Sequence, residues 1–326
     1  MSRRHTKGGL RLVAALLLVL VMLFCGLRLL ETTVLRNGRE EVSKPVSKTI
    51  ERDGVKYFPR QDITVFLVMG IDQYGKVEAS KSYNNHGAAD MVALVIFDEA
   101  KETYTILHIN RDTMVEMPVL GIGGKQAGTY FGQLALSHTY GTGLEDSCEN
   151  TRQTVADFLG GIHIDYYVAM NMDAIRILND GVGGVTVENT EDFSAVDATI
   201  PMGTVKLKGE QAITYVRTRK DIGDQLNLSR IDRQEKYIDG FLAAFRQTQQ
   251  QDAHLLTRLY EDVAGYLVTD CSINSLTAML ERYEDYALTQ VVTPAGDNVM
   301  GEKYFEFYAD ETALDALILR LFYAPK

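Results

Sequence analysis

Several common enzyme signatures are missing from this chain of 326 residues. It has no nucleophile elbow, no P-loop, no GxGxxG run and no zinc-binding arrangement of Cys and His, so no standard motif assigns a reaction. It has no tryptophan and only six prolines, absences that exclude little. With 46% hydrophobic residues, no internal repeat and no low-complexity stretch, the composition excludes a disordered chain.

Positive charge is scarce over most of the chain. The net charge is −11, and the five Lys and Arg residues before residue 31, with no acid among them, leave −16 for the remainder. Nucleic-acid binders depend on Lys and Arg to displace counterions from phosphates, so this balance argues against a nucleic-acid partner. A phosphate ligand would therefore need a local group of cations.

Only three cysteines are present. Cys25 lies inside the apolar N-terminal run. Cys148 and Cys271 could pair outside the cell or stay as two thiols, and their spacing does not choose between these alternatives.

The chain begins with a candidate membrane segment. Residues 12–27 are apolar and uncharged, and residues 10–30 as a helix would span roughly 31 Å, close to the apolar core of a bilayer. Arg3, Arg4 and Lys7 precede this run, so the positive-inside rule predicts a cytoplasmic N-terminus over 1–9 and an extracellular remainder. A cleaved signal peptide is the alternative. No small-x-small site follows the run, which favours a single-pass anchor in the cell membrane.

Two regions follow the anchor. Residues 31–62 mix charge with Ser, Thr and Pro, which predicts an extracellular stalk. Beyond it, short β-branched runs alternate with helical patterns, which predicts an α/β domain over 63–326 with a mixed central sheet sandwiched by helices. The predicted strands are 64–69, 91–97, 104–109, 166–170, 185–188 and 289–293, the second and third forming an antiparallel hairpin. The predicted helices are part of 132–160, then 172–180, 209–214, 229–247, 252–266, 273–285 and 311–323.

Two carboxylates stand at the ends of predicted strands. Asp72 follows the first strand and Asp90 directly precedes the second. If these strands are neighbours, both acids meet at one edge of the sheet, beside a loop over 73–89 that is long enough to fold over a ligand. Hard oxygen ligands of this kind suit Mg²⁺ shared with substrate phosphates. The alternative is that Asp72 caps a turn and Asp90 begins a surface strand.

An arginine and two histidines lie near the same strands. Arg111 follows the third strand and could bind an anion or simply pair with Asp112 on the surface. His108 and His138 are each isolated from other catalytic side chains in the sequence, which favours packed, structural histidines.

A second group of arginines follows downstream. If YVRTR is extended, Arg217 and Arg219 point to one face. Ser229 and Asp232 fit a capping box that would begin a helix at Arg230, with Arg233 on the same face near the positive helix end. Arginine suits two-pronged binding of phosphate oxygens. The alternative is a solvated basic face that neighbouring acids balance, namely Asp221, Asp224, Asp232 and Glu235.

Taken in order, these segments resemble the LytR-CpsA-Psr family of membrane-anchored cell-wall proteins. The resemblance covers nearly all of the chain beyond residue 62. The matching stretches are VFLVMGID (65–72), AADMVALVIF (88–97), ILHINRDTMVEMP (106–118), NDGVGGVTV (179–187), MGTVKLKGEQAITYVRTRK (202–220) and RIDRQEKYI (230–238).

The resemblance implies a fold and an activity. The fold would be an α/β domain with a hydrophobic tunnel for a polyprenyl chain and a charged mouth for its pyrophosphate. The activity would be that of a phosphotransferase moving a glycopolymer from undecaprenyl pyrophosphate to peptidoglycan. The cofactor would be Mg²⁺, with Mn²⁺ as the alternative. The setting would be the outer face of the cell membrane of a Gram-positive-type bacterium.

The resemblance also implies roles for residues. Asp72 and Asp90 match the metal-associated acids and, with Arg111, form the implied catalytic group. The implied diphosphate-binding arginines are Arg111, Arg217, Arg219 and Arg230, with Arg233 as a supporting member.

Three positions depart from the family pattern. Ala88 stands where an arginine is usual, and Asn227 stands where an aspartate is usual. A lysine that is common in the family near the position of Gln133 is missing. Ala88 and Asn227 keep two alternatives open. One is a polyprenyl-diphosphate pyrophosphatase, and the other is a non-catalytic lipid-diphosphate receptor that regulates wall assembly or transcription.

Overall fold

A computed structural model describes residues 49–325, apart from 53, 219–221, 223–226, 253, 273–274, 276–277, 280–281 and 284. The side chains of residues 122, 227–232, 235 and 256 also lie outside this description. The predicted N-terminal segment 1–9, the anchor 10–30, most of the stalk and much of the helix at 273–285 fall outside it as well. Within the described ranges, no helix is both long enough and apolar enough to cross a bilayer.

A mixed six-stranded sheet forms the centre of the domain. Its strands in spatial order are β11 (Leu267–Thr269), β8 (Tyr166–Asn171), β3 (Ile63–Ile71), β4 (Ala89–Asp98), β5 (Thr103–Ile109) and β12 (Ala287–Val292). β4 pairs antiparallel with both β3 and β5, whereas β8 is parallel to β3 and β12 is parallel to β5. The two central strands are buried on both faces, which explains why they appear in the sequence as nearly continuous apolar runs.

Helices cover both faces of this sheet, as the sequence predicts. Alternate residues of β3 separate the two layers: Phe66 and Val68 face one apolar cluster, and Leu67 and Met69 face the other. The first cluster is covered by α2 (Met172–Gly181), α3 (Glu210–Arg217), α4 (Asn227–Gln249) and α5 (Leu255–Val263). The second is covered by α1 (Glu145–Phe158) and α6 (Glu311–Phe322).

Three hairpins lie outside the central sheet. They are β6 (Met114–Leu120) with β7 (Gln126–Gln133), β9 (Val185–Asn189) with β10 (Gly203–Leu207), and β13 (Gly296–Met300) with β14 (Phe305–Ala309). Only β9 is among the strands predicted from the sequence. Short 3₁₀ turns occupy Ile122–Gly124, Leu134–Thr139 and Ala264–Tyr266.

The two ends of the described chain meet in a small separate sheet. Here β1 (Ile50–Arg52) pairs with β2 (Val55–Pro59), which pairs with β15 (Tyr323–Pro325). Residues 50–59, placed within the stalk by the sequence pattern, therefore lie against the C-terminal strand.

Two details of the predicted secondary structure are wrong. The first three residues of YVRTR are helical, because burial of Ala212, Ile213, Tyr215 and Val216 along one side of α3 continues the helix to Arg217. Packing against the sheet thus overrides the strand preference of aromatic and β-branched residues. The next helix begins at Asn227, before the predicted start at Arg230.

The structure chooses between a disulfide and two thiols for the pair Cys148 and Cys271. Cys148 and Cys271 are both buried thiols, and no disulfide joins them. Burial raises the pKa of the Cys148 thiol, which keeps it protonated and unreactive.

An ion cluster holds the start of β3 to the end of β4. The guanidinium of Arg60 lies 2.7 Å from a carboxylate oxygen of Asp62 and 2.9 Å from one of Asp98. The hydrogen bond from Arg60 lowers the pKa of Asp62. Burial raises the pKa of Asp98, but hydrogen bonds from Lys101 and Arg60 outweigh burial, and the net shift is downward.

This cluster predicts a pH-dependent loss of stability. Carboxylates with depressed pKa values stabilise the fold above their usual value of 3.8 and lose that contribution as the pH falls through the folded-state pKa. Urea unfolding of Arg60→Gln should show a free energy of unfolding lower by about 2 kcal/mol at neutral pH. This difference should shrink as the pH falls below 3.8 and through the folded-state pKa values of Asp62 and Asp98. In the control Arg52→Gln, which breaks an exposed pair with Asp315, the loss should stay under about 1 kcal/mol. A loss that does not change with pH would contradict this account.

Candidate functional site

The two predicted acids lie beside an irregularity in the central sheet. The pairing of β3 with β4 shifts register between Gly70 and Ile71, which leaves Asp90 as the extra residue on the β4 side. The backbone N–H groups of Asp72 and Asp90 both donate to the carbonyl oxygen of Ala88, at 3.0 and 3.1 Å. The two acids therefore meet at one edge of the sheet, and the extra residue re-aims the Asp90 side chain.

Each acid is paired with an arginine from another element. The Nη2 atom of Arg217, at the end of α3, donates to Oδ1 of Asp72 at 2.7 Å. The Nη1 atom of Arg111, which follows β5, forms an ion pair with Asp90, and its Nε atom lies 3.4 Å from Asp112. All four side chains are partly exposed, from 28% for Asp90 to 46% for Arg217. The site is therefore open to a polar ligand.

Tyr74 belongs to this site, although the sequence analysis did not identify it. Its hydroxyl accepts a hydrogen bond from Nη1 of Arg217 at 2.7 Å, and the guanidinium carbon lies 5.6 Å from the ring centre. The only sequence signal was its position two residues after Asp72, in the loop already suspected of covering a ligand. Tyr74 and Asp72 together hold the guanidinium of Arg217 from two sides.

Buried polar contacts anchor the loop that follows Asp72. The side-chain amide of Asn85 donates to the carbonyl of His138 at 2.7 Å and to the hydroxyl of Ser147 at 2.9 Å. Nδ1 of His138 donates to the carbonyl of Gly87 at 2.8 Å, and burial lowers the pKa of His138. A Cβ at Gly87 would come within 2.9 Å of Asn85 Oδ1, so only glycine fits. His138 is structural, as predicted.

Arg233 is placed behind the site. Its side chain is only 1% exposed and forms an ion pair with Glu191. Its Nε donates to the carbonyl of Tyr215 at 3.0 Å, and its Nη2 donates to the carbonyl of Thr218. These carbonyls lie on either side of Arg217 in the chain, so Arg233 fixes the end of α3 from which Arg217 projects. Buried behind the site, Arg233 does not face the exposed acid–arginine pairs, and the phosphate-binding role predicted for it stays a prediction.

The remaining predicted arginines are not described. Arg219 lies outside the described residues, and Arg230 lies in the first turn of α4 with its side chain outside the description. Of the predicted anion site, the described part brings Arg111 and Arg217 to the same sheet edge as the acids.

The donor set fits a divalent cation only together with a substrate. Within the described part of the chain, no three His, Cys, Asp or Glu side chains cluster as metal ligands. Mg²⁺ commonly takes one or two protein carboxylates and fills its remaining positions with water and substrate phosphates. Asp72 and Asp90 offer that number and type of ligand, so the residues present are compatible with the predicted ion.

Gln133 has a definite structural role. Its amide nitrogen donates to Oδ1 of Asp112 at 2.9 Å and to the carbonyl of Phe305 at 2.8 Å. Gln133 thus joins the site to the β13–β14 hairpin.

The fold is an α/β sandwich around a mixed sheet, with two acid–arginine pairs at one edge of that sheet, and sequence comparison gives the family. The LytR_cpsA_psr family matches residues 31–319, and the chain belongs to it. One relative is the polyisoprenyl-teichoic acid–peptidoglycan teichoic acid transferase TagU of Halalkalibacterium halodurans. It is 28% identical over 258 residues, which are 78% of this chain and 77% of the relative. TagU of Oceanobacillus iheyensis is 25% identical, with 90% and 88% covered.

Solved structures support the fold. The structure of TagT bound to LI-WTA aligns with a TM-score of 0.56 at 22% identity and covers 85% of this chain and 94% of TagT. At this identity the likeness shows the architecture alone.

The buried clamp around Arg233 predicts a large effect on stability. Arg233→Met should lower the free energy of unfolding by about 3–5 kcal/mol, because Glu191 and two carbonyls lose their partner. Arg246→Met, the same change at an exposed position on the same helix, should cost within about 0.5 kcal/mol. Urea denaturation of the two variants measures the difference. Equal losses would show that Arg233 does not hold α3.

Proposed function

We propose that this chain is a membrane-anchored phosphotransferase that moves a glycopolymer from a polyprenyl-diphosphate carrier to peptidoglycan on the outer face of the membrane. One structural observation carries the proposal: Asp72 with Arg217, and Asp90 with Arg111, converge from separate elements at one exposed sheet edge. The names of the relatives supply the donor and acceptor classes.

Exchange of partners explains how this edge would bind a diphosphate. Without ligand, the carboxylates of Asp72 and Asp90 occupy the arginines as an anion would. An arriving diphosphate would take over Arg217 and Arg111 through charge-assisted hydrogen bonds, which are strongest with paired phosphate oxygens. The released carboxylates would then be free to hold Mg²⁺ jointly with the phosphate. The metal, when bound, supplies positive charge next to the departing phosphate.

The chemical step needs little more than charge and position. Cleavage of the bond between glycan phosphate and carrier phosphate leaves negative charge on the departing lipid phosphate. Once they have exchanged partners on binding, Arg111 and Arg217 would stand at the site and stabilise that charge with no further reorganisation during the chemical step. The acceptor hydroxyl loses its proton as it attacks, and Asp72 or Asp90 is the carboxylate within the site that would take it.

The carrier chain needs an apolar path next to the charged site. Behind Arg217, the buried residues Val216 and Tyr215 join the apolar layer between the sheet and helices α2–α5. We infer that the predicted tunnel for the polyprenyl chain runs within this layer. The predicted anchor would keep the site near its lipid donor and raise the effective donor concentration.

Two other functions share the same ligand. Hydrolysis with water as acceptor would make the chain a carrier pyrophosphatase, and binding without reaction would make it a regulatory receptor. Ala88 is the reason for keeping both alternatives. An arginine is usual at this position, and the methyl group of Ala88 cannot stabilise a charge.

Replacement of Arg217 should test whether this sheet edge carries the transfer reaction. With the full chain in detergent, Mg²⁺, a labelled polyprenyl-diphosphate glycan and peptidoglycan, Arg217→Ala should reduce label transfer by about 10²–10³-fold. Arg258→Ala is the matched control, because Arg258 has similar exposure and pairs with Asp252 elsewhere, and it should transfer normally. Stability should change by less than about 1 kcal/mol in both.

The products of the unmodified chain decide among the three candidates. Label in peptidoglycan supports the transferase. Phosphate release without label in the wall would point to the pyrophosphatase, and donor binding without either product would point to the receptor.

The acids predict a metal requirement. Asp90→Asn and Asp72→Asn should each raise the Mg²⁺ concentration needed for half-maximal transfer by about tenfold or more, because a neutral amide is a weaker ligand. Mg²⁺ removal by a chelator should stop transfer, and added Mn²⁺ should restore it. Unchanged metal dependence in both variants would place the ion elsewhere.

A further inference from the structure

Tyr74 is an exposed side chain on a firmly held piece of backbone. The carbonyl of Gln73 accepts the N–H of Met172, the first residue of α2, at 2.9 Å. The N–H of Gly75 donates to the carboxylate of Asp173 at 2.5 Å. Both neighbours of Tyr74 are therefore tied to the start of α2, whereas Tyr74 itself is 52% exposed. Because its backbone is fixed, the ring stays in position without being buried, and it is presented to solvent beside Asp72.

The protein uses only one side of the Tyr74 hydroxyl. A tyrosine hydroxyl has one hydrogen to donate and lone pairs that accept. Here a lone pair accepts Nη1 of Arg217 at 2.7 Å, and a guanidinium donates but never accepts, so the hydroxyl hydrogen is left for another acceptor. Among the described residues, no carbonyl or carboxylate accepts this hydrogen. A ligand that reaches Arg217 can therefore accept it.

Tyr74 also decides where Arg217 stays when a ligand arrives. Within the described ranges, two side chains hold this guanidinium: Asp72 accepts from Nη2 at 2.7 Å, and Tyr74 contacts both Nη1 and the face of the group, whose carbon lies 5.6 Å from the ring centre. An anion that takes Nη2 from Asp72 leaves the contacts with Tyr74 in place, because a phenol, unlike a carboxylate, does not repel an anion. Arg217 is thus kept at the site after the exchange.

We propose that Tyr74 is a phosphate-binding residue whose hydroxyl bridges Arg217 and an oxygen of the diphosphate. The hydroxyl accepts from Nη1 and donates its hydrogen to the phosphate group that Nη2 binds. The identity of the ligand as a lipid-linked diphosphate rests on the proposed function. Tyr74 and Asp72 then have opposite roles toward the same arginine, since Tyr74 keeps its contact with Arg217 on binding and Asp72 gives it up.

Direct binding without metal tests the bridge. The full chain in detergent is titrated by calorimetry with farnesyl diphosphate in the presence of a chelator. Tyr74→Phe, which keeps the ring and removes the hydroxyl, should weaken binding about threefold to tenfold. Tyr304→Phe removes the hydroxyl of another exposed tyrosine, between β13 and β14, and should have no effect. Equal affinities of Tyr74→Phe and the unmodified chain would overturn the proposal.

Replacement of Asp72 should change the affinity in the opposite direction. In the same metal-free titration, Asp72→Asn should bind farnesyl diphosphate about twofold to fivefold more tightly, because the ligand no longer competes with a carboxylate for Arg217. If Asp72→Asn and Tyr74→Phe both weaken binding, the two changes merely disturb the loop, and the bridge is overturned.

A second probe separates contact with phosphate from contact with lipid. Tyr74→Phe should weaken binding of inorganic pyrophosphate by the same factor as binding of farnesyl diphosphate. A loss with farnesyl diphosphate alone would place the hydroxyl on the isoprenoid chain and overturn the proposal. The unmodified chain should bind farnesyl diphosphate more tightly than pyrophosphate. The reverse order would assign the bridge to a free diphosphate and overturn its link to a lipid carrier.

Transfer kinetics distinguish failure of this proposal from failure of the proposed function. Tyr74→Phe should raise the donor KM about threefold to tenfold and leave the Mg²⁺ concentration for half-maximal transfer unchanged, whereas a general loosening of the site would raise both. A chain that shows the Tyr74 effect on binding yet transfers no label keeps the bridge and loses the transferase. Transfer with an unchanged donor KM in Tyr74→Phe keeps the transferase and overturns the bridge.

Discussion

The register shift between β3 and β4 is the feature on which the rest of the site depends. With regular pairing to the strand end, side chains would continue to alternate between the two faces, and that of Asp90 would lie on the face opposite those of Ala89 and Met91. The extra residue instead turns its side chain out beside Asp72, with both backbone N–H groups held on the carbonyl of Ala88. A small loss of regular hydrogen bonding at the sheet edge thus brings the backbones of the two acids together, and Arg111 and Arg217 pair with their side chains.

Placing like charges together is unfavourable unless cations compensate, and here the cations come from separate elements. Arg111 is delivered by the end of β5, the neighbour of β4, so the same sheet sets its position. Arg217 comes from a helix end and depends on packing behind it, where buried Arg233 binds the surrounding carbonyls. An interior arginine therefore fixes a surface arginine. A phosphate ligand would need such a local arrangement, because the acidic body of the chain repels anions.

The sequence predicted the parts of the fold that have strong periodicity or long apolar runs. The central strands β3 and β4 were found because burial on both faces demands continuous apolar residues. The strand β5 was found from its β-branched and aromatic residues, although several of them are partly exposed. The β13–β14 hairpin was missed because β13 is exposed along its length and shows no alternation. The acids were placed correctly at one edge, but a one-residue register shift leaves no signal in the sequence. Tyr74 and the helical state of Arg217 depend on tertiary contacts that no local pattern encodes.

Asp112 connects the candidate site to the β13–β14 hairpin. Its carboxylate receives Arg111 on one side and the Gln133 amide on the other, and its carbonyl receives the N–H of Phe307. A lysine in place of Gln133 would compete with Arg111 for that carboxylate, whereas a neutral amide leaves the charge of Asp112 available to Arg111. Gln133 therefore preserves the charge pairing of the site while it ties the β13–β14 hairpin to Asp112. A displacement of β14 would reach Arg111 through Asp112, because Asp112 accepts the N–H of Phe307 and pairs with Arg111.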